Sequence, residues 1–262
     1  MDARPVGMFD SGIGGISVLE SFQRIAPNED IVYFADTAWF PYGPRPAAEV
    51  RKRSFAITHR LLASDVKLVV VACNTASGAA ITDLREAFDI PFVGMVPGVK
   101  PAASRSPSGN VAILATEGTF DGELYTRVVE DFGRGAKITA VPGTGLAALV
   151  EVGAAGTEQA REAIQKALGA HVRAGIDTVV LGCTHYHFLA ADIAAEFPGL
   201  EIIDTSESVA RRAVQVLDER DARSPSQGPG AISLIVSGDR QAFDEALQRT
   251  GIALKHMEEA TR

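Results

Sequence analysis

Two segments of the chain carry the same short pattern. Leu68-Val69-Val70-Val71-Ala72-Cys73-Asn74-Thr75 and Thr178-Val179-Val180-Leu181-Gly182-Cys183-Thr184-His185 each run through β-branched and apolar residues to one small residue and a cysteine, then to polar residues. No other cysteine occurs in the 262 residues. A thiol placed where a strand gives way to a helix meets the positive end of the helix dipole, which favours the thiolate. One cysteine in such a setting is more often a small buried residue than a reagent. Two in matched settings point to chemistry. Inverting a carbon stereocentre by proton transfer needs a base on one face and an acid on the other. A thiolate and a thiol can exchange those roles and serve both directions. An unperturbed thiol titrates near about 8.5, so modest tuning brings it to working pH. A redox role would favour C-x-x-C spacing, which is absent.

Other polar residues cluster near these positions. Phe9-Asp10-Ser11-Gly12-Ile13-Gly14-Gly15 follows an apolar run, and its glycines let backbone N–H groups reach an anion. The spacing departs from the dinucleotide fingerprint, so a carboxylate ligand fits better. Asp10 is a candidate to orient an ammonium group or to act as a second base beside a cysteine. In Cys183-Thr184-His185-Tyr186-His187 the two histidines lie two apart and diverge on a helix, and no further cluster completes a metal site. His185 reads instead as a proton-transfer partner of Cys183. His59, His171 and His256 stand isolated and read as ordinary residues. The loop Asp36-Thr37-Ala38-Trp39-Phe40-Pro41-Tyr42-Gly43-Pro44 reads either as a rigid connection or as a wall that positions substrate and excludes water.

The elements that must hold these residues follow from patterning. Short runs at Val6-Phe9, Ile31-Phe34, Leu68-Val71, Pro91-Met95, Val111-Ala115, Lys137-Val141, Thr178-Leu181, Glu201-Ile203 and Ile232-Val236 mostly lack in/out alternation. That predicts strands buried on both faces of largely parallel sheets. Helical patterns lie between them, at Ala47-Ser64, Thr157-Ala174 and Ser206-Arg220, with Thr157 and Ser206 suited to N-caps. The fold class is α/β, with ligand sites expected at strand carboxyl ends. Crossovers are expected near Val96-Gly98 and Asp204-Ser208. These give a discontinuous first domain, 1–97 plus 208–262, around a second, 98–207. Asp221-Gly230 reads as an exposed loop.

Composition sets limits. The chain is 46% hydrophobic and 22% charged, a globular balance, and its net charge of −8 argues against nucleic acid as a partner. No apolar run approaches the roughly 18 residues that span a bilayer, so no membrane role is expected. The absence of a signal-like start and of a disulfide framework points to the cytoplasm.

The segments 9–15, Asp36-Thr37 with Phe40-Pro41-Tyr42-Gly43-Pro44-Arg45, Ala72-Cys73-Asn74-Thr75-Ala76, and Leu181-Gly182-Cys183-Thr184-His185-Tyr186 together resemble the glutamate racemases of bacterial cell-wall synthesis. The resemblance implies two similar doubly wound domains with the active site in the cleft between them. It implies Cys73 and Cys183 as the acid/base pair, with Asp10, His185 and Glu151 assisting. Substrate contacts would come from Asp10, Ser11, Pro41, Tyr42, Gly43, Asn74, Thr75, Thr184 and His185, and more loosely from Thr116 and Thr119. No cofactor or metal is expected, and the working unit is expected to be a homodimer acting on glutamate. The chain departs from the family pattern at His187, at Trp39 and along Ala140-Leu146. Racemisation of aspartate or another small carboxylate, or a non-catalytic binding or regulatory role, remain alternatives at this stage.

Overall fold

The structure is a computed structural model that describes residues 1–133, 135–252 and 254, and the backbone of 257–259. His256 lies outside the described residues. Among the described residues ten strands are present: β1 (Val6–Asp10), β2 (Ile31–Ala35), β3 (Leu68–Val71), β4 (Phe92–Gly94), β5 (Asn110–Ala115), β6 (Lys137–Pro142), β7 (Thr178–Leu181), β8 (Glu201–Ile203), β9 (Ile232–Val236) and β10 (Met257–Glu259). Nine coincide with expected runs to within a residue or two. The tenth was not foreseen, because Met257-Glu258-Glu259 has no apolar run to mark it.

The strands form two sheets, ordered β10-β9-β2-β1-β3-β4 and β6-β5-β7-β8, and every described pair is parallel. Strands β1, β2, β3 and β7 are buried at every position, which is why their sequences are apolar without alternation. Within the larger sheet, β2-β1-β3-β4 has the same order as β6-β5-β7-β8. In each, the chain runs from the first strand outward to one side, then returns to the other side of it. That reversal leaves a crevice at the carboxyl ends of the first and third strands.

Helices cover the sheets. Helix 47–62 packs on helix 74–87 and on β1 and β2. Helix 99–105 packs on β5 and β7, whereas helix 206–219 packs on helix 16–25 and on β3 and β4. The chain thus changes sheets after β4 and again after β8. Thr157 caps its helix as expected, its hydroxyl accepting from the Ala160 N–H. Ser206 does not cap. It is the first residue of its helix, its N–H donates to Asp204 at 2.6 Å, and its hydroxyl meets that of Ser17 at 3.1 Å. The N-cap position belongs to Thr205, which makes no side-chain cap bond, and Asp204 just before it accepts the N–H of the first helical residue instead. Among the described residues no helix is long and apolar enough to cross a membrane.

Candidate active site

Both cysteines sit where the crevices predict. Cys73 follows β3 and is the N-cap residue of helix 74–87. Cys183 follows β7 and precedes a 3-10 turn over Thr184–Leu189, which leads into helix 190–196. The small residue before each thiol is needed. A Cβ on Gly182 would lie 2.8 Å from that of Ala115, and Ala72 is fully buried, its Cβ 3.0 Å from where one on Gly15 would stand. The two thiols line one cavity of about 20 Å³, together with Ser11, Phe40, Pro41, Tyr42, Gly43, Asn74, Thr75, Thr116, Ala147, Thr184 and His185. Most of the expected substrate contacts therefore face a shared space.

Asp10, Glu151 and Thr119 are not on that wall but directly behind it. Asp10 is fully buried at the end of β1. One of its oxygens accepts from the Gly15 N–H at 2.7 Å and from the Thr184 hydroxyl at 3.2 Å, and its carboxyl contacts the Cys73 thiol. Thr119 donates to or accepts from Thr116 at 3.0 Å, and Thr116 meets Thr75 at 2.8 Å, so three hydroxyls join the segment after β5 to the start of helix 74–87.

Glu151 stands behind His185. Its carboxylate meets His185 Nε2 at 2.7 Å and also accepts the Ile13 N–H at 2.7 Å, while His185 Nδ1 lies 3.8 Å from the Cys183 sulfur. Glu151 ends the helix Leu146–Glu151, and the Ala140-Leu146 path that leads into it runs through β6 and a turn held by the Tyr186 hydroxyl on the Gly143 carbonyl at 2.8 Å.

The glycine turn works differently from the expectation. Its N–H groups do hold anions, but these are the protein's own carboxylates: Gly15 binds Asp10, and Ile13 binds Glu151. The glycines also make room. A Cβ on Gly12 would fall 1.8 Å from Glu151 Oε1, and one on Gly14 would fall 2.5 Å from both His185 Nδ1 and Thr184 Oγ1. The turn is therefore a socket for the Asp10, Glu151, Thr184 and His185 side chains.

The two thiols have unlike neighbours, a carboxyl at Cys73 and an imidazole at Cys183. Burial and the nearby Asp10 charge push the Cys73 thiol well above its ordinary range. Burial also raises Asp10, opposed by the His185 charge and by hydrogen bonds from Cys73, Ser11 and Gly15. For His185, burial works to lower the imidazole, but hydrogen bonds to Cys183 and Glu151 and the charges of both carry it well above its usual value. These influences favour a proton on the His185 imidazole and on the Cys73 sulfur.

Phe40 and Ala147 line the cavity although neither was singled out. Phe40 was one of three aromatics in the loop, and its ring lies 5.4 Å from that of His185. Ala147 carries no chemistry and left no signal. Trp39 does not line the cavity; its ring lies under Arg45 and Arg53, at 4.9 and 5.3 Å. His187 pairs with Asp204 at 2.6 Å, at the second change of sheet. Among the described residues no three His, Cys, Asp or Glu side chains are grouped to hold a metal ion.

Comparison with known proteins agrees with this geometry. The family model for Asp/Glu/Hydantoin racemase matches residues 12–213. The glutamate racemase of Herpetosiphon aurantiacus is 41% identical over 251 residues, covering 95% of this chain and 98% of that one. Glutamate racemase from Thermus thermophilus, solved with β-chloro-D-alanine, superposes with a TM-score of 0.85 at 33% identity, covering 100% of this chain and 98% of the other. The Escherichia coli glutamate racemase, solved with L-glutamate and the activator UDP-MurNAc-ala, gives 0.83 at 31% identity and 98% of both chains. With paired strand orders, paired thiols and near full-length similarity, this chain belongs to the aspartate/glutamate racemase family.

Proposed function

We propose that this isomerase interconverts L- and D-glutamate without a cofactor, and so supplies D-glutamate for peptidoglycan. The observation that carries the reading is two thiols from two sheets lining one cavity. The Asn74 carboxamide supports it. Both its nitrogen and its oxygen are buried without a partner in the cavity wall. A buried amide left so is costly, and a ligand bearing both ammonium and carboxylate satisfies both ends.

In the proposed reaction one sulfur removes the Cα proton and the other delivers a proton to the opposite face. With Cys183 as the thiolate, it takes the Cα proton and becomes S–H. The electron pair spreads into the α-carboxylate. Cys73 S–H then protonates the far face and becomes the thiolate. Reversal runs the same steps backwards for the other enantiomer. His185 steadies negative charge on Cys183, and Glu151 holds the imidazole protonated and in place. Asp10 keeps the proton on Cys73 until the carbanion claims it. Ser11, Thr75, Thr116 and Thr184 offer hydroxyls, and Pro41, Tyr42 and Gly43 form the facing wall. The cavity has room for about one water molecule. Glutamate therefore enters when the two units part, and closure around it excludes water. The division that fits this motion is 1–97 with 208–262 against 98–207, in a cytoplasmic homodimer whose elution at twice the chain mass would test it.

The deciding experiment is a direct assay. Protein dialysed and treated with chelator is expected to racemise both glutamate enantiomers, with efficiency on aspartate lower by about tenfold or more, as one methylene of pocket length allows. Strict dependence on pyridoxal phosphate or metal, or comparable efficiency with alanine or glutamine, would overturn the reading.

A further inference from the structure

One group of buried charges lies outside the machinery above. Asp36, just past β2, has no exposed surface. Four donors fill its carboxylate. Arg53 Nη2 lies at 2.5 Å and the Ser237 hydroxyl at 2.8 Å from one oxygen; Arg53 Nε lies at 2.7 Å and the Tyr42 hydroxyl at 2.5 Å from the other. These donors come from helix 47–62, from the end of β9 and from the loop after β2. Trp39 covers the guanidinium face, and Arg45 in turn donates to the Trp39 carbonyl at 3.0 Å. Burying a carboxylate and a guanidinium is unfavourable unless geometry and hydrogen bonding are complete, and here both are.

Of these residues only Tyr42 reaches the cavity wall. Burial, the Asp36 charge and the hydrogen bond push its phenol far above the ordinary value, so it remains a donor to Asp36. Its single hydroxyl proton is spent there, and the cavity meets its ring and backbone. The next residue ties across the molecule: the Gly43 carbonyl accepts the Gly118 N–H at 3.0 Å, in the segment after β5. A Cβ on Gly43 would lie 2.8 Å from that of Thr116. The wall is thus anchored in the larger sheet's unit and touches the smaller one.

We propose that Asp36 and Arg53 are positioning residues for the Tyr42–Gly43 wall, and that they set how tightly glutamate is held rather than how fast its proton moves. This rests on reading the cavity as the glutamate site. Neither residue touches the thiols, so their removal should act on binding.

Three variants test this against wild type. Arg53→Lys keeps the charge and loses the two-pronged contact. Arg53→Met loses both. Tyr42→Phe removes only the hydroxyl and leaves the charge pair whole, so it stands in if an Arg53 variant fails to fold. Arg53→Lys is expected to raise KM for both enantiomers by about tenfold, and Tyr42→Phe by about threefold, with kcat falling less than KM rises. Arg53→Met should exceed Arg53→Lys. A merely structural role would lower the folded fraction, and so kcat, with KM unmoved. That pattern, or an unchanged KM in both Arg53→Lys and Tyr42→Phe, overturns the proposal. D-glutamate binding is measured by calorimetry in parallel. Wild-type protein that neither binds nor turns over glutamate overturns the site reading. Wild-type protein that does both, with variants of unmoved affinity, overturns the positioning role alone.

Discussion

Cys73 follows β3 and Cys183 follows β7, the third strand of each 2-1-3-4 arrangement, yet the residues around the two sulfurs are of different kinds. Cys73 opens a 14-residue helix and has a carboxyl group, Asp10, for a neighbour. Cys183 opens a 3-10 turn and has an imidazole backed by Glu151. On one side burial and Asp10 favour a proton on sulfur; on the other Glu151 favours a proton on histidine. The scaffold is duplicated and the proton inventory is not. A symmetric reaction does not require symmetric bases. The two enantiomers are mirror images of equal free energy, so their equilibrium constant is one, and kcat/KM must be equal in the two directions at every pH. The unequal surroundings of the thiols can appear only in kcat and KM separately, or in a reaction that uses one thiol.

The largest effect should come from removing either sulfur. Cys73→Ser and Cys183→Ser are each expected to lose racemisation by about a thousandfold or more, because a hydroxyl is far too weak an acid to replace the thiol. Elimination from a glutamate carrying a leaving group at the β-carbon needs only the abstracting thiolate. Each variant should keep elimination from one enantiomer and lose it from the other, with opposite choices. Retention of near-normal racemisation by both variants would make the cysteines structural. Loss of elimination from both enantiomers in each variant would show that the two sides are not independent.

A smaller effect is expected at the histidine. His185→Asn removes the imidazolium beside Cys183 while leaving Cys73 and Asp10 in place. A loss of about a hundredfold in kcat is expected, within the range for a group that assists proton transfer. The loss should fall on elimination from the enantiomer that Cys183 deprotonates, and spare the other. Equal losses for both enantiomers would mean that His185 serves the cavity as a whole, and the contrast between the sides would fail.

The sequence showed the duplicated part of this comparison more clearly than the unequal part. The strands were legible because burial on both faces leaves continuous β-branched runs, and the thiols because Leu68–Thr75 and Thr178–His185 echo one another. His185 was legible as a neighbour of Cys183, two residues along. What lay hidden depends on contacts between distant positions. Ile13 N–H on Glu151 joins residues 138 apart, and Ser237 on Asp36 joins residues 201 apart. Arg53 sits mid-helix, where an arginine reads as solvent-facing, and only the fold turns it onto a buried carboxylate. The glycines at 12 and 14 were read as a cradle for a ligand. Their spacing alone cannot tell an outside anion from Asp10 and Glu151.

The smallest effect, and the most discriminating one, is expected at Glu151. Its Oε1 accepts both the Ile13 N–H and the His185 contact. Glu151→Gln keeps a carbonyl oxygen able to accept both, so the turn should hold and only the charge is lost. A loss of about tenfold in kcat is expected, in line with removing a group that acts through another. The pH profile carries the stronger signal. Glu151 helps raise His185, so without its charge the imidazole loses its proton at lower pH. On the proposed mechanism activity depends on a protonated His185, so the alkaline limb of kcat should move to lower pH. Asp10 should shift the other way at higher pH, because the His185 charge that lowers it disappears sooner. A profile that keeps its alkaline limb while kcat drops would make Glu151 an anchor for the glycine turn alone, and the protonated imidazole on the Cys183 side would need another source.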